Sequence, residues 1–476
     1  MKTVRHFVIP LSAVAALLPA VVYATNGMNL EGYGPVATGM GGASMAYDNG
    51  SAAVMNNPAT IGLMPDGQRA DFALGLLGPD VTAKAGTETA KSSGTAYYMP
   101  ALGWLSKHGD LAYGVGVFSQ GGMGTEYKAS SFMAAGSNEK VRSEVGVGRI
   151  IFPISFAASK TVQIGGSIDY VWAGMDLKMA MLGSQFMDMM PSIYNPAATR
   201  SGGTASGGLV TGVAGYMGSG AITGLNWARF DFSDSSAFTG EAKGSGFGGK
   251  IGAVFTPSDM VSVGVTYHTK TALSDLKTSN AKLSMNVSGP VCVGMGTTSP
   301  CTIPLTGTIK VQDFEWPAML GIGVAVKATE SLMIAADVKR IGWADVMKNF
   351  KMNFVADTSA GNGTFGGADL DATLFQKWGD QTVIALGGAY KVDPAWTVRL
   401  GYNHASNPIP DSYLNALFPA IEETHVTAGF GYEISKASSV DFSLTDGLEK
   451  KATNLQNQVA STMSQLNWQL MYSYRY

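Results

Sequence analysis

Apolar residues in this chain recur at every second position far more than at every third or fourth. Near the C-terminal end Leu466, Trp468, Leu470, Tyr472, Tyr474 and Tyr476 share one parity, and Asn467, Gln469, Ser473 and Arg475 share the other. The same alternation sets Trp396, Val398, Leu400 and Tyr402 against Thr397, Arg399, Gly401 and Asn403. It also sets Val426, Ala428, Phe430 and Tyr432 against Thr427, Gly429, Gly431 and Glu433, and Val261, Val263, Val265 and Tyr267 against Ser262, Gly264, Thr266 and His268. Period two puts successive side chains on opposite faces of a strand, so each segment has one apolar and one polar face. The pattern predicts fourteen strands, near 68–79, 92–106, 110–119, 145–158, 161–181, 245–256, 259–288, 306–328, 331–354, 370–391, 394–405, 421–434, 437–447 and 464–476.

A soluble sandwich also hides one face of every strand, so the connections have to decide. Tight turns at Lys107-His108-Gly109, Ser159-Lys160, Pro257-Ser258, Thr329-Glu330, Val392-Asp393 and Ser435-Lys436 alternate with long segments, of which 182–244 is the longest. Short turns at one end and long loops at the other mark an outer-membrane barrel. The predicted fold class is therefore all-β: a transmembrane antiparallel β-barrel of about 14 strands. The uncharged stretch Ser201 to Ala228 is too rich in Gly, Ser and Thr to enter lipid as a helix, and reads as loop.

Composition sharpens this picture. Gly makes up 61 of 476 residues, and charged residues are only 14%, where about 25% is usual. Mean hydropathy is nevertheless only +0.11, so the apolar content is not gathered into helical spans. A barrel reconciles these facts, because one face of its wall excludes charge and the sheet must close to pair every backbone group. Glycine suits positions where another backbone approaches the wall. Trp104, Trp172, Trp316 and Trp468 fit interfacial girdles at strand ends, with core packing as the alternative for each.

Lys2 and Arg5 precede an apolar run from Phe7 to Leu18 that ends near Val22-Tyr23-Ala24, which reads as a signal peptide over 1–24. Without it, 30 basic residues face 35 acidic ones, which gives nucleic acid no basic face to bind. Cys292 and Cys301 are close enough in sequence to pair as a disulfide in an oxidising compartment, and with no nearby His they are a poor metal site. There is no Gly-x-Ser-x-Gly element or nucleotide-binding loop, and the five histidines are scattered. Neither an enzyme, a cofactor nor a metal is implied.

Residues 25–66 lack sustained alternation and are dense in small residues, including Gly39, Gly41, Gly42, Ala43, Ser44, Ala52 and Ala53. Such a segment ahead of a barrel reads as a hatch plugging the lumen. The runs Asn26-Gly27-Met28-Asn29-Leu30 and Gly39-Met40-Gly41-Gly42-Ala43, then Asp48 and Asn57-Pro58-Ala59, resemble the N-terminal hatch of the FadL/TodX family of outer-membrane transporters for hydrophobic compounds. Glu315-Trp316-Pro317-Ala318-Met319, Trp343 with Asp345, Leu374-Phe375-Gln376-Lys377-Trp378, Gly401-Tyr402-Asn403 and Asn407-Pro408-Ile409-Pro410 extend the resemblance across the chain. It implies a signal peptide, a hatch over 25–66 and a barrel over 67–476 in a bacterial outer membrane. It further implies passive transport of long-chain fatty acids or aromatic hydrocarbons: external capture, hatch rearrangement and sideways exit through a gap at a kinked third strand. A general diffusion porin and an adhesive surface protein are the alternatives.

The candidate ligand-binding or gating residues follow. Asn57, Pro58 and Ala59 either form the turn leading the hatch into the first strand or belong to a hatch that moves. Gly114, Gly116, Gly121 and Gly122 permit a bend in the third strand, and Phe118-Ser119-Gln120-Gly121-Gly122 stands where relatives often have a Pro-containing turn. Met181, Phe186 and Met187 sit in a Met-rich segment that could line an apolar groove or pack within the loops. Lys327, Lys339 and Arg399 have inward parity, to meet a carboxylate on the cargo or to join ion pairs of the wall. The expected partners are a hydrophobic small molecule, outer-membrane lipid, and the barrel-assembly machinery reading a C-terminal strand that ends in Tyr476.

Overall fold

The computed structural model describes residues 26–236 and 239–476, so the expected signal peptide over 1–24 lies outside the described residues. Among the described residues, fourteen strands build the wall: β1 Gly67–Leu77, β2 Tyr97–His108, β3 Leu111–Tyr127, β4 Val141–Ser159, β5 Val162–Leu182, β6 Ala242–Ser258, β7 Val261–His268, β8 Met319–Lys327, β9 Leu332–Ile341, β10 Gln381–Lys391, β11 Trp396–Ala405, β12 Thr424–Glu433, β13 Ser438–Thr453 and β14 Ala460–Arg475. Each is antiparallel to the next in chain order. β14 returns to β1, from Arg69 opposite Arg475 to Leu76 opposite Trp468, and the ring is closed. Closure pairs nearly every strand edge in hydrocarbon, where unpaired N–H and C=O groups could find no water.

Alternation along β4 shows both faces. Phe152, Ile154 and Phe156 are each more than half exposed and point to lipid, while Val145, Val147, Arg149 and Ile151 are buried inside. Short connections at 109–110, 160–161, 259–260, 328–331, 392–395 and 434–437 gather at one end, and the long loops at the other.

Several of the long loops extend the wall outward as a further sheet. Beyond the barrel, β5 continues to pair with Gly224–Phe232, which pairs with Leu276–Ser288, and so on through Cys301–Gln312, Asn349–Ala356, Asp369–Phe375 and Gly203–Ser206. This corrects four expected boundaries. The strands expected over 259–288, 306–328, 331–354 and 370–391 each divide into one wall strand and one strand of this outer sheet. Alternation continues through both parts, since each has a buried and an exposed face, so period two could not reveal the break. The uncharged stretch read as loop carries an α-helix of its own, Gly208–Gly218. The disulfide Cys292–Cys301, with Cα atoms 5.6 Å apart, ties the hairpin between Leu276–Ser288 and Cys301–Gln312. Trp316 is fully buried instead of interfacial, and stacks edge-on against Trp343, with Trp378 beyond it.

Residues 26–66 fill the lumen as short helical turns, almost wholly buried. Glycine on the inner wall makes room for them: a Cβ at Gly387 or Gly401 would overlap the Met40–Gly41 backbone. Polar ties surround the hatch. Asp337 accepts from the Ser44 amide at 2.7 Å, Asn403 donates to the Gly41 carbonyl at 2.9 Å, and Arg69 bonds Asp48 at 2.9 Å.

Candidate functional site: a slot through the wall

β2 and β3 start as an ordinary hairpin, paired from His108–Leu111 up to Leu102–Val117, and then part. Above that point β2 keeps β1 as its partner and β3 keeps only β4. A bulge between Ser119 and Gly121 shifts the register and reverses which residues of β3 face outward. Where β3 leaves β2 it takes bonds from the hatch. The Gly122 amide donates to the Met28 carbonyl at 3.2 Å, Tyr33 Oη donates to the Gln120 carbonyl at 2.6 Å, and Asn29 bridges Gly121. A Cβ at Gly121 would overlap the Met28 carbonyl, so this contact requires glycine. Asn29 is fixed in turn by Trp316 Nε1, which donates to its Oδ1 at 2.7 Å.

The segment leading into β2 meets the upper end of β3 near the outer rim. The Ser93 amide donates to the Glu126 carbonyl at 2.7 Å, and the Glu126 amide donates to Ser92 Oγ at 3.0 Å. The result is a slot framed above and below. Along β2 it takes in Tyr97–Ala101, about 17 Å of strand at ~3.4 Å per residue.

Behind the slot lies a cavity of about 860 Å³. Its two walls belong to opposite faces of the barrel. On one side are inward residues of β1, β2 and β14, among them Leu77, Tyr97, Met99 and Met463. On the other are outward positions of β3, β4 and β5: Gly122, Gly124, Gly146, Gly148 and Trp172. In register Gly122 faces Gly146, and Gly146 faces Gly174, so three adjacent strands present no side chain in one row. The upper half of β3 has bent inward behind β2, and the barrel wall overlaps itself as a seam that opens to the lipid side.

Beneath the seam is a buried ion cluster. Asp169 Oδ2 accepts from Arg149 Nη1 at 2.8 Å and from Lys250 Nζ, and Ser167 Oγ donates to Asp169 Oδ1 at 2.6 Å. Arg149 Nε also donates to Gln120 Oε1, which links the cluster to the bend. On the lumen side, loop 406–423 seals the cavity with Pro419. Tyr127 Oη donates to the Ala416 carbonyl at 2.8 Å, and Thr125 Oγ1 and Ser143 Oγ donate to that of Leu417. In the hatch, burial pushes the Glu31 carboxyl above the usual carboxylate range, only partly offset by the hydroxyl of Thr445 at 2.6 Å.

Of the residues expected from sequence, Phe118 lines this cavity, as do Gly121 and Gly122 of the expected bend. Gly116 backs it, since a Cβ there would crowd the Phe118 ring and Val54. Gly114 lies below the parting, in the paired hairpin opposite Leu105. Asn57 caps the 3-10 turn Pro58–Leu63 by accepting from the Ala59 amide at 3.1 Å, and donates to the Met45 carbonyl at 2.7 Å. Asn57, Pro58 and Ala59 sit against β5 and β6, where Gly165 and Gly252 leave room. Met181, Phe186 and Met187 pack into the apolar core of the outer loops. Lys339 donates to the Gly42 carbonyl at 2.7 Å, and Arg399 pairs with Asp441 at 2.8 Å. Lys327 is exposed at the short-turn end of β8. Sequence reasoning missed Tyr97, Gly124, Gly146, Gly148 and Trp172. Val145-Gly146-Val147-Gly148 did carry a signal, a strand with side chains on one parity only.

The family described as outer membrane protein transport protein (OMPP1/FadL/TodX) matches residues 11–473 of the chain. Among solved structures, the P. putida toluene transporter TodX is 30% identical, over 94% of this chain and 99% of that one, with a TM-score of 0.78. The Ralstonia pickettii toluene transporter TbuX is 29% identical over the same shares, with a TM-score of 0.74. A curated Chlorobium limicola protein, described as an uncharacterized protein in the phosphoenolpyruvate carboxykinase gene 5' region, is 46% identical over 91 residues, and the chain spans 45% of its length. A match over nearly the whole chain, a closed barrel and a lumen filled by the N-terminal segment together place this protein in the OMPP1/FadL/TodX family: it is a β-barrel transport protein of the outer membrane and not an enzyme.

Proposed function

We propose that the protein carries hydrophobic compounds, long-chain fatty acids or aromatic hydrocarbons, passively across the outer membrane, releasing them sideways through the slot between β2 and β3. The observation that carries this reading is the seam itself: a largely apolar cavity opens through the wall, while two cavities beside the hatch are about 30 Å³ each. A molecule that prefers lipid to water gains nothing from an aqueous path through the lumen. Passage from the outer loops to the cavity and out to the bilayer keeps its apolar surface away from water and needs only a gradient. An apolar cavity of ~150 Å³ holds one benzene, so the space here takes a long chain or several rings. In the relatives TodX and TbuX the transported compound is toluene. Capture outside falls to the apolar loop core that includes Met181, Phe186 and Met187. Movement of Met28 and Asn29 away from β3 is the hatch rearrangement that would admit cargo to the seam.

Gly146→Trp tests the route. A Cβ at Gly146 meets nothing within 4 Å, so the indole can project into the cavity without disturbing the strand. Uptake of radiolabelled palmitate and of toluene by cells is expected to fall to the level of cells lacking the protein, with the folded barrel present in normal amount. Unchanged uptake of both compounds would refute sideways release.

A further inference from the structure

We infer that Tyr97 is the gate of the slot, and that the slot opens by rotation of this one side chain and not by separation of strands. The inference rests on the sideways route and adds to it the residue that sets the aperture.

Strand separation is disfavoured by the frame. Below, β2 and β3 are fully paired up to Leu102–Val117, and above, the Ser92–Ser93 backbone and hydroxyls hold Glu126. Widening the slot by moving either strand would break the β2–β3 pairing inside the wall, where no water can replace it, as well as the rim bonds to Glu126. Within the frame the two strands share no backbone pairing, and a side chain spans the space between them.

That side chain is Tyr97. It has inward parity on β2, opposite Leu77 of β1, yet its ring lies on Gly124, an outward position of β3. A Cβ at Gly124 would sit 2.6 Å from Cζ and 2.9 Å from Cε1 of the ring, and would overlap Oη. A Cβ at Gly94 would overlap the same hydroxyl. Contacts this short mean that the phenol fits only because both positions are glycine. The ring therefore crosses the upper slot from β2 to β3, and its inner side lines the cavity. Rotation about its own torsions breaks no backbone bond, and side chains change rotamer far faster than strands part. Closure by a ring also gives selection by width. A flat or slender molecule needs a small displacement, and a broad one needs the ring to leave Gly124 entirely.

Two substitutions remove the closure from opposite sides: Tyr97→Ala deletes the ring, and Gly124→Ala pushes it off its seat. The initial uptake rates of a broad probe, N-phenyl-1-naphthylamine, and a slender one, palmitate, are compared in cells, and barrel assembly is followed by heat-shifted electrophoretic mobility. Both variants are expected to raise the ratio of broad to slender uptake on the order of tenfold, the usual scale of steric discrimination in an apolar site. Tyr97→Phe, which keeps the ring, is expected to match the unsubstituted protein. An unchanged ratio in whichever of Tyr97→Ala and Gly124→Ala assembles, while Gly146→Trp still abolishes uptake, overturns the gate alone. Full uptake in Gly146→Trp overturns the sideways route as well.

Discussion

Replacing Asp169 with Asn should destabilise the barrel at the point where its wall is bent. Asp169 is fully buried on β5, and among the described residues it is the only carboxylate in an ion pair with Arg149 or Lys250, whose side chains are 1% and 2% exposed. The three groups carry one net positive charge even when intact. The amide of Asn keeps an oxygen to accept a hydrogen bond, so the loss is mainly of charge: two buried cations are left to repel one another with no counter-ion. Breaking a buried pair by removing one partner costs about 3–5 kcal/mol. Ser167→Ala removes only a neutral donor to the Asp169 carboxylate and should cost less, about 1.5–3 kcal/mol. Urea unfolding in detergent micelles, followed by tryptophan fluorescence, measures both. Adding Lys250→Met to Asp169→Asn takes away one of the stranded charges and should recover part of the loss. If Asp169→Asn unfolds at the original midpoint, or if the double variant is less stable than the single one, the charge argument is refuted. Because Arg149 also holds Gln120, the same substitution should make the bend of β3 exchange amide hydrogens faster.

Three further outcomes are expected. Gly401→Val puts a side chain where the Gly41 backbone sits, so the hatch should unseat while the closed ring survives, and single-channel conductance should rise from near zero; a silent channel would show that the hatch tolerates the intrusion. Tyr127→Phe deletes the bond to the Ala416 carbonyl, worth about 1 kcal/mol, and should lower hydrogen-exchange protection across 406–423 while leaving the wall unchanged. Glu31→Gln should change how stability depends on pH. Since burial raises the Glu31 carboxyl, its folded form favours the neutral state, and the stability it provides is complete below the ordinary carboxylate range and lost as pH rises through the raised value. The variant should match the original protein in acid and exceed it at neutral pH, and parallel unfolding midpoints at both would contradict this.

The wall was legible because a membrane imposes period two on every strand that crosses it. The alternation at Trp396–Asn403 and Val426–Glu433 needed no knowledge of partners, and the tight turns marked which end each strand came from. The four strands that proved double show the limit of this signal, because an outer loop sheet with one buried face obeys the same period. The hatch was legible from its small residues. Lys339 and Arg399 were placed inward by parity, but parity could not say that one meets the Gly42 carbonyl and the other Asp441.

Sequence by itself determined the alternation, the short and long connections, and the dense glycine, and these suffice for a plugged barrel of about 14 strands. Tertiary structure alone decided where that barrel opens. Gly121 can bend a strand, but only the contact that it and Gly122 make with Met28, at the start of the hatch, fixes the bend at that point. Gly124 falls beyond the third strand expected over 110–119, and Gly146 reads as an ordinary strand position, until β3 runs on to Tyr127 behind β2 and turns an outer face into the lining of a cavity. Local sequence sets which way each side chain points, whereas the space it points into depends on a neighbour that the chain reaches only after folding.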